Sequence, residues 1–63
     1  MKEVTRDEYW NFIRDKNVTY NVVGDYPFTG YWKDRWGNIV AKRVDSYPED
    51  GVYPLVEKYY IQL

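Results

Sequence analysis

Apolar side chains near the N-terminus recur at the spacing of an α-helix. Thr5 and Glu8 have the spacing of a capping box, in which each side chain satisfies a backbone N–H group at the start of a helix. This pattern predicts a helix that begins at Arg6 and is terminated by Asn17. A stripe about 100° wide along this helix has the width of a face packed on a sheet. The stripe consists of Tyr9, Phe12, Ile13 and the stem of Lys16.

Beyond Asn17 the pattern changes to the alternation of β-strands. Residues 18–23 alternate, with Val18, Tyr20 and Val22 on one face, and predict a first strand. Residues 55–63 predict a closing strand, in which Glu57 interrupts an otherwise apolar face. The apolar residues in phase on that face are Leu55, Tyr59, Ile61 and Leu63.

Residues 29–44 predict a hairpin. Asp34 and Gly37 occupy the first and last positions of a type I turn, and Gly37 suits a backbone with positive φ. The turn predicts the register of the two strands. The expected pairs are Lys33 with Ile39 and Trp32 with Val40. The expected core face consists of Phe28, Trp32, Val40 and Val44.

These elements predict an α+β fold in a single domain that spans residues 1–63. One N-terminal helix would pack on a three- to four-stranded antiparallel sheet, in the order α-β-β-β. The first three residues are expected to be disordered. Residues 46–54 contain Tyr-Pro and Asp-Gly steps and are expected to form a loop.

Composition restricts the chemistry. Cysteine and histidine are absent, which excludes disulfides, zinc sites of the finger type and the usual general base near neutral pH. No nucleophile with a positioned base and no phosphate-binding glycine loop is apparent, so we expect a protein that is not an enzyme and needs no metal or cofactor. Glu49 and Asp50 are interpreted as solvated turn residues rather than a metal site.

The aromatic content points to recognition. Aromatic residues make up 21% of a 63-residue chain, more than so small a core can enclose, so some must lie at the surface. The turn 34–37 carries Trp36 beside Arg35, with Tyr31 and Lys33 close by, and Trp, Tyr and Arg dominate binding hot spots. Alternatively, Trp36 folds back to cover the sheet. The tip therefore supplies four candidate binding residues.

Three further aromatic residues are candidates for binding. Trp10 lies off the packed stripe of the helix, where it either caps the sheet edge or contacts a second copy of the chain. Tyr47 and Tyr53 each precede a proline in the 46–54 loop, where they either stiffen the loop or present an aromatic surface.

The charge distribution leaves a second class of ligand open. The net charge of −1 provides no strong field toward nucleic acid or anionic lipid. Basic residues nevertheless cluster with aromatic ones on the hairpin, an arrangement that holds single strands or nucleotides by stacking and phosphate contacts. No apolar run is long enough to span a bilayer, so we expect a cytoplasmic protein without membrane contact.

In its small size, its abundance of Tyr and Trp, its lack of Cys and its lack of a catalytic signature, the whole chain resembles the small accessory proteins that bacteriophages encode to inhibit host or defence proteins. The resemblance implies a non-catalytic protein-interaction module that inhibits or modulates a larger protein. A homodimer is expected, because it would bury surplus aromatic surface. The alternative function is that of a nucleotide or single-stranded nucleic-acid binding module.

Overall fold

The computed structural model describes residues 1–24, 28–49, 51 and 54–62. These residues form one helix and one five-stranded antiparallel sheet with the strand order β1-β5-β4-β3-β2. The helix is α1 (Arg6–Ile13), and the strands are β1 (Lys2–Val4), β2 (Thr19–Val23), β3 (Thr29–Lys33), β4 (Ile39–Ser46) and β5 (Val56–Ile61).

The predicted helix on an antiparallel sheet is confirmed, but the strand count was too low. The additional strand is β1, of which Lys2 and Glu3 were expected to be disordered. It pairs antiparallel with β5, with Val4 opposite Tyr59. Three residues are too few to show strand periodicity, and their partner lies at the far end of the chain, so only the tertiary structure reveals the pairing.

The helix begins as predicted and ends early. The Thr5 N–H donates to Glu8 Oε1, and the Glu8 N–H donates to Thr5 Oγ1, each at 3.2 Å, which is a complete capping box. The helix ends at Ile13 rather than just before Asn17, because the Lys16 N–H donates to the Ile13 carbonyl at 3.1 Å and closes a tighter turn.

The hairpin turn forms at the predicted residues. Asp34 Oδ1 accepts hydrogen bonds from the backbone N–H groups of Trp36 and Asn38, both at 2.9 Å. The Gly37 N–H donates to the Asp34 carbonyl at 3.1 Å, and Gly37 has a φ of 84°. The turn is therefore stabilised by a backbone hydrogen bond and by two hydrogen bonds to the Asp34 side chain.

The register of the hairpin is only partly as predicted. Lys33 lies opposite Ile39, as expected, but Trp32 lies opposite Ala41 instead of Val40. A β-bulge between Trp32 and Lys33 shifts the pairing by one residue, and such a shift exchanges the two faces of β4. The fully buried Ala41 thus takes the core position expected for Val40, and Val44 alternates to the opposite face.

α1 packs on one face of the sheet, over β5 and its neighbours. The buried core consists of Tyr9, Ile13, Ala41, Tyr59 and Ile61. Val4, Phe12 and Trp32 pack against it and are partly buried. Phe28, expected in the core, is 40% exposed. We call the face under α1 the helix-covered face and the other one the open face.

Glu57, the interruption in the last strand, belongs to a polar cluster on the helix-covered face. Its carboxylate accepts hydrogen bonds from the Tyr59 hydroxyl and from Arg43 Nη2, the latter at 2.8 Å. Arg43 also binds Asp45 at 3.2 Å. The hydrogen bond from Tyr59 lowers the pKa of Glu57, and burial raises the pKa of Tyr59. An acidic residue is thereby accommodated next to the apolar core.

Candidate functional site

Trp36 is the most exposed large apolar residue in the described part of the chain. Its side chain is 72% exposed at the hairpin tip and does not cover the sheet. The Arg35 guanidinium carbon lies 4.5 Å from the centre of the Trp36 ring, which is the geometry of a cation–π contact. Because hydrogen bonds to Asp34 fix the backbone of the turn, Arg35 and Trp36 are presented from a well-defined backbone conformation.

Trp10 lies on α1 and is 42% exposed, in agreement with its position off the packed stripe. Its ring meets the rings of Tyr9 and Trp32 edge-on, at centroid distances of 5.2 Å and 6.4 Å. Trp32 Nε1 donates a hydrogen bond to the Tyr9 hydroxyl, whose pKa is raised by burial. Trp10 is therefore oriented by a rigid aromatic cluster.

Two grooves lie side by side between these tryptophans. The first, of about 420 Å³, runs from Trp10 and Trp32 past Arg14. The second, of about 430 Å³, runs to Arg35 and Trp36. Lys16 and Val18 line both, so the two form a continuous surface. We call this surface the tryptophan groove: Trp10, Arg14, Lys16, Val18, Trp32, Arg35 and Trp36.

The tryptophan groove combines apolar and cationic surface. Arg14, Lys16 and Arg35 each contribute a positive charge. Asp34 also borders the second groove, next to Arg35, and its carboxylate already accepts two backbone hydrogen bonds within the turn. Such a surface favours an occupant that carries an apolar group together with negative charge.

Tyr31 and Lys33 are not part of this groove. β3 alternates, so these residues lie on the open face, whereas Trp32 between them contacts α1. Tyr31 pairs with Lys42, and Lys42 pairs with Tyr60, whose ring centre is 4.9 Å from the Lys42 ammonium. The expected grouping of Tyr31 and Lys33 with Trp36 on one surface is thus replaced by two surfaces.

Tyr47 lies apart from the other candidate residues that the structure describes. It is 49% exposed and follows Ser46, the end of β4 remote from the hairpin tip. Tyr53, the other loop tyrosine singled out from the sequence, lies outside the described residues, as does Asp50. Of the seven predicted binding residues, Trp10, Arg35 and Trp36 are the ones that the fold brings to the tryptophan groove.

Sequence reasoning missed other lining residues of the groove. Trp32 was assigned to the core, Lys16 to the packed helix stripe and Val18 to a strand face. The short connection 14–18 between α1 and β2 brings Lys16 and Val18 beside the hairpin tip, and both residues also line the first groove together with Trp32. Its brevity is visible in the sequence, but the path that it takes is decided by how α1 packs on the sheet.

Comparison of the chain with protein families, curated proteins and solved structures finds no significant match. Within the described ranges, no cluster of His, Cys, Asp and Glu is arranged to hold a metal ion. Over the same ranges, no helix combines the length and apolar character needed to cross a bilayer.

Proposed function

We propose that the protein is a non-catalytic interaction module that binds a larger protein through the tryptophan groove and thereby inhibits or modulates it. The observation that carries the proposal is the 72% exposure of Trp36 with Arg35 stacked on its ring. Exposing so much indole to water costs hydrophobic free energy, and Trp and Arg are the residues most enriched in binding hot spots.

The lining of the groove indicates the chemistry of the partner. An apolar side chain of the partner fits against the touching rings of Trp10 and Trp32, in the first groove, whose volume of about 420 Å³ suits a small number of side chains. Acidic groups on either side of it meet Arg14, Lys16 and Arg35. We therefore expect the partner to present a segment in which an apolar anchor is flanked by Asp or Glu.

The decisive experiment compares Trp36→Ala with Tyr47→Ala. Both changes remove an exposed aromatic side chain, but Tyr47 lies away from the groove. Partners captured by the wild-type chain are identified by mass spectrometry and purified, and binding is then measured by calorimetry. We expect Trp36→Ala to weaken binding by at least ~30-fold, the loss typical of a hot spot, and Tyr47→Ala to leave it nearly unchanged.

Circular dichroism and thermal unfolding of both variants provide the control for folding. Because Trp36 makes few internal contacts, we expect Trp36→Ala to keep the wild-type fold. A folded Trp36→Ala variant that binds the purified partner as tightly as the wild type would contradict the proposal.

A second candidate function rests on the open face. The cross-strand row Tyr31–Lys42–Tyr60 presents two rings and a cation. By strand alternation, the charged residues on the strands of this face are Glu3, Lys33, Lys42 and Lys58, an excess of positive charge in a chain of net charge −1. Tyrosine rings next to lysines suit stacked bases and their phosphates, so a nucleotide or a single-stranded nucleic acid is the ligand of this alternative.

Charge reversal separates the two candidates. Lys42→Glu alters the open face, and Lys16→Glu makes the same change of charge in the tryptophan groove. Fluorescence anisotropy with a labelled single-stranded oligonucleotide at low salt would detect binding that Lys42→Glu abolishes and Lys16→Glu retains. No binding by the wild-type chain under these conditions would eliminate the second candidate for single strands of that kind.

A further inference from the structure

The two edges of the sheet differ in how well they are protected. β1 is three residues long and carries Lys2 and Glu3, and short or charged edge strands resist pairing with other chains. β2 is five residues long, all five of its residues are exposed, and residues 17–24 contain neither a charged residue nor a proline. Its composition, rich in Val, Thr and Tyr, has high β-propensity. β2 is therefore an edge open to a further strand.

The backbone hydrogen bonds show which groups of β2 point away from the sheet. The Asp45 N–H donates to the Phe28 carbonyl, and the Asp34 N–H donates to the Asn38 carbonyl, so the even-numbered residues of β3 bond to β4. The odd-numbered ones, by alternation, bond to β2, where their partners are Thr19, Asn21 and Val23.

Tyr20 and Val22 consequently direct their backbone N–H and C=O groups outward. Among the described residues, no backbone hydrogen bond outside the strand ladders engages either of them. Both side chains are also exposed, by 41% for Tyr20 and 50% for Val22. The edge thus presents a regular row of donors and acceptors beside apolar side chains.

We propose that β2 pairs antiparallel with β2 of a second copy of the chain, about a two-fold axis at Asn21. In this register Tyr20 lies opposite Val22 of the second copy, and each such pair exchanges both of its outward N–H···O=C bonds. Thr19 lies opposite Val23 of the second copy, and Asn21 faces Asn21. The two five-stranded sheets join into one continuous sheet.

The sequence of β2 is complementary to itself in this arrangement. A two-fold axis places equal residues near each other, so a charged residue at the centre would face a like charge, and Asn21 is neutral. Tyr20 and Val22 of the second copy lie on the same face of the joined sheet, and the Tyr20 ring lies over Gly30 on the β3 side, away from the edge to which the second strand is added. This self-complementarity is why a second copy, rather than a strand of an unrelated protein, is the occupant. The seam is small, so we expect the dimer to dissociate on dilution.

The test introduces a charged residue at position 21, on the proposed two-fold axis. Sedimentation equilibrium across a dilution series is measured for the wild type, for Asn21→Lys and for Asn21→Asp. We expect each single variant to dimerise at least ~10-fold more weakly than the wild type, because like charges face each other across the axis. An equimolar mixture of the two should recover dimers, because Lys then faces Asp. Asn21→Thr, which keeps the site neutral, is the matched control and should dimerise as the wild type does.

A second measurement reads the register. In a sample that mixes isotope-labelled with unlabelled chains, the α-protons of the two Asn21 residues should give an intermolecular NOE, because they form a non-hydrogen-bonded pair with Cα atoms about 4.5 Å apart. A wild-type chain that is monomeric at NMR concentrations would overturn the proposal. So would a dimer that Asn21→Lys leaves intact and Trp36→Ala dissociates, since its seam would be the tryptophan groove.

Discussion

At the scale of single residues, the position of the Tyr20 ring depends on the absence of a side chain at Gly30. The Tyr20 ring lies across Gly30 in the neighbouring strand, where a Cβ atom would come within 1.9 Å of the Tyr20 hydroxyl oxygen. The same ring is 4.9 Å from the Trp32 ring, which links the edge strand to the aromatic cluster under α1. A glycine inside a strand costs stability, and here the aromatic ring covers the gap.

We predict that the effect of Gly30→Ala depends on Tyr20. Alanine in a strand is favoured over glycine by roughly 0.5–1 kcal/mol, but in the wild-type background its methyl group displaces the Tyr20 ring, which forfeits an aromatic contact of about 0.5–1.5 kcal/mol. Gly30→Ala should therefore be neutral or destabilising in the wild type and stabilising in a Tyr20→Ala background.

Urea unfolding of the four chains in this double-mutant cycle, at a concentration where they are monomeric, measures the coupling. Additive effects of the two substitutions would show that the Tyr20 ring does not rest on Gly30 in solution.

Some of these residue positions could be predicted from the sequence and others could not. The position of Trp10 off the packed stripe followed from its angle on the helix, and the turn at 34–37 followed from Asp34 and Gly37. Which of the three tryptophans is exposed did not follow from the sequence. The exchange of Val40 for Ala41 in the core did not follow, because a single bulge residue shifts the register and leaves no mark on the alternation.

At the scale of elements, features determined by neighbouring residues were predicted correctly, whereas features that depend on contacts between distant parts of the chain were missed. The start of α1 was predicted to the residue, since the capping box that fixes it lies within four consecutive residues. β1 was missed, since its pairing with β5 joins the two ends of the chain. The tryptophan groove was missed as a unit for the same reason: α1, the connection 14–18 and the hairpin tip meet only after the helix has packed.

The capping box should make the stability of α1 sensitive to acid. Thr5→Ala removes the acceptor of the Glu8 N–H and should reduce the free energy of unfolding by about 0.5–2 kcal/mol. Hydrogen bonds from Thr5 hold the pKa of Glu8 below its ordinary value of 4.5. A lowered pKa in the folded state stabilises the protein above the ordinary value, and this contribution is lost as the pH falls through the folded-state pKa.

Glu8→Gln is the control for this pH dependence. Glutamine can also complete a capping box but does not titrate, so the loss of stability between about pH 5 and pH 3 should be smaller in this variant than in the wild type. Thermal unfolding followed by circular dichroism across this range makes the comparison. Equal acid sensitivity of the two chains would show that other carboxylates, such as Glu57 with its lowered pKa, account for the effect.

At the scale of the whole molecule, the described residues place one helix on one face of a five-stranded sheet. The buried apolar core of the described residues has five members, and two of them, Tyr9 and Ile13, come from α1. The open face, the tryptophan groove and the β2 edge are all surfaces that a second structural layer would cover in a larger domain. A chain of 63 residues is too short to build a larger core, and for the same reason these surfaces remain exposed to solvent.

Because the core is small, removing one helix side chain from it should come close to unfolding the protein. Ile13 is 5% exposed, and Ile→Ala changes at buried sites cost about 2–5 kcal/mol. At roughly 0.05–0.15 kcal/mol per residue, a chain of this length has a total stability of about 3–9 kcal/mol. Ile13→Ala should therefore lower the urea midpoint by a large fraction, whereas Val56→Ala, at a 39% exposed site on β5, should change the stability by less than about 1 kcal/mol. A loss below ~1 kcal/mol for Ile13→Ala would show that α1 does not pack on the sheet through this residue.

Repeating the series at higher protein concentration tests the β2 dimer as well. Dimerisation through β2 involves only folded chains, so it should stabilise the folded state and raise the urea midpoint of every variant that still folds.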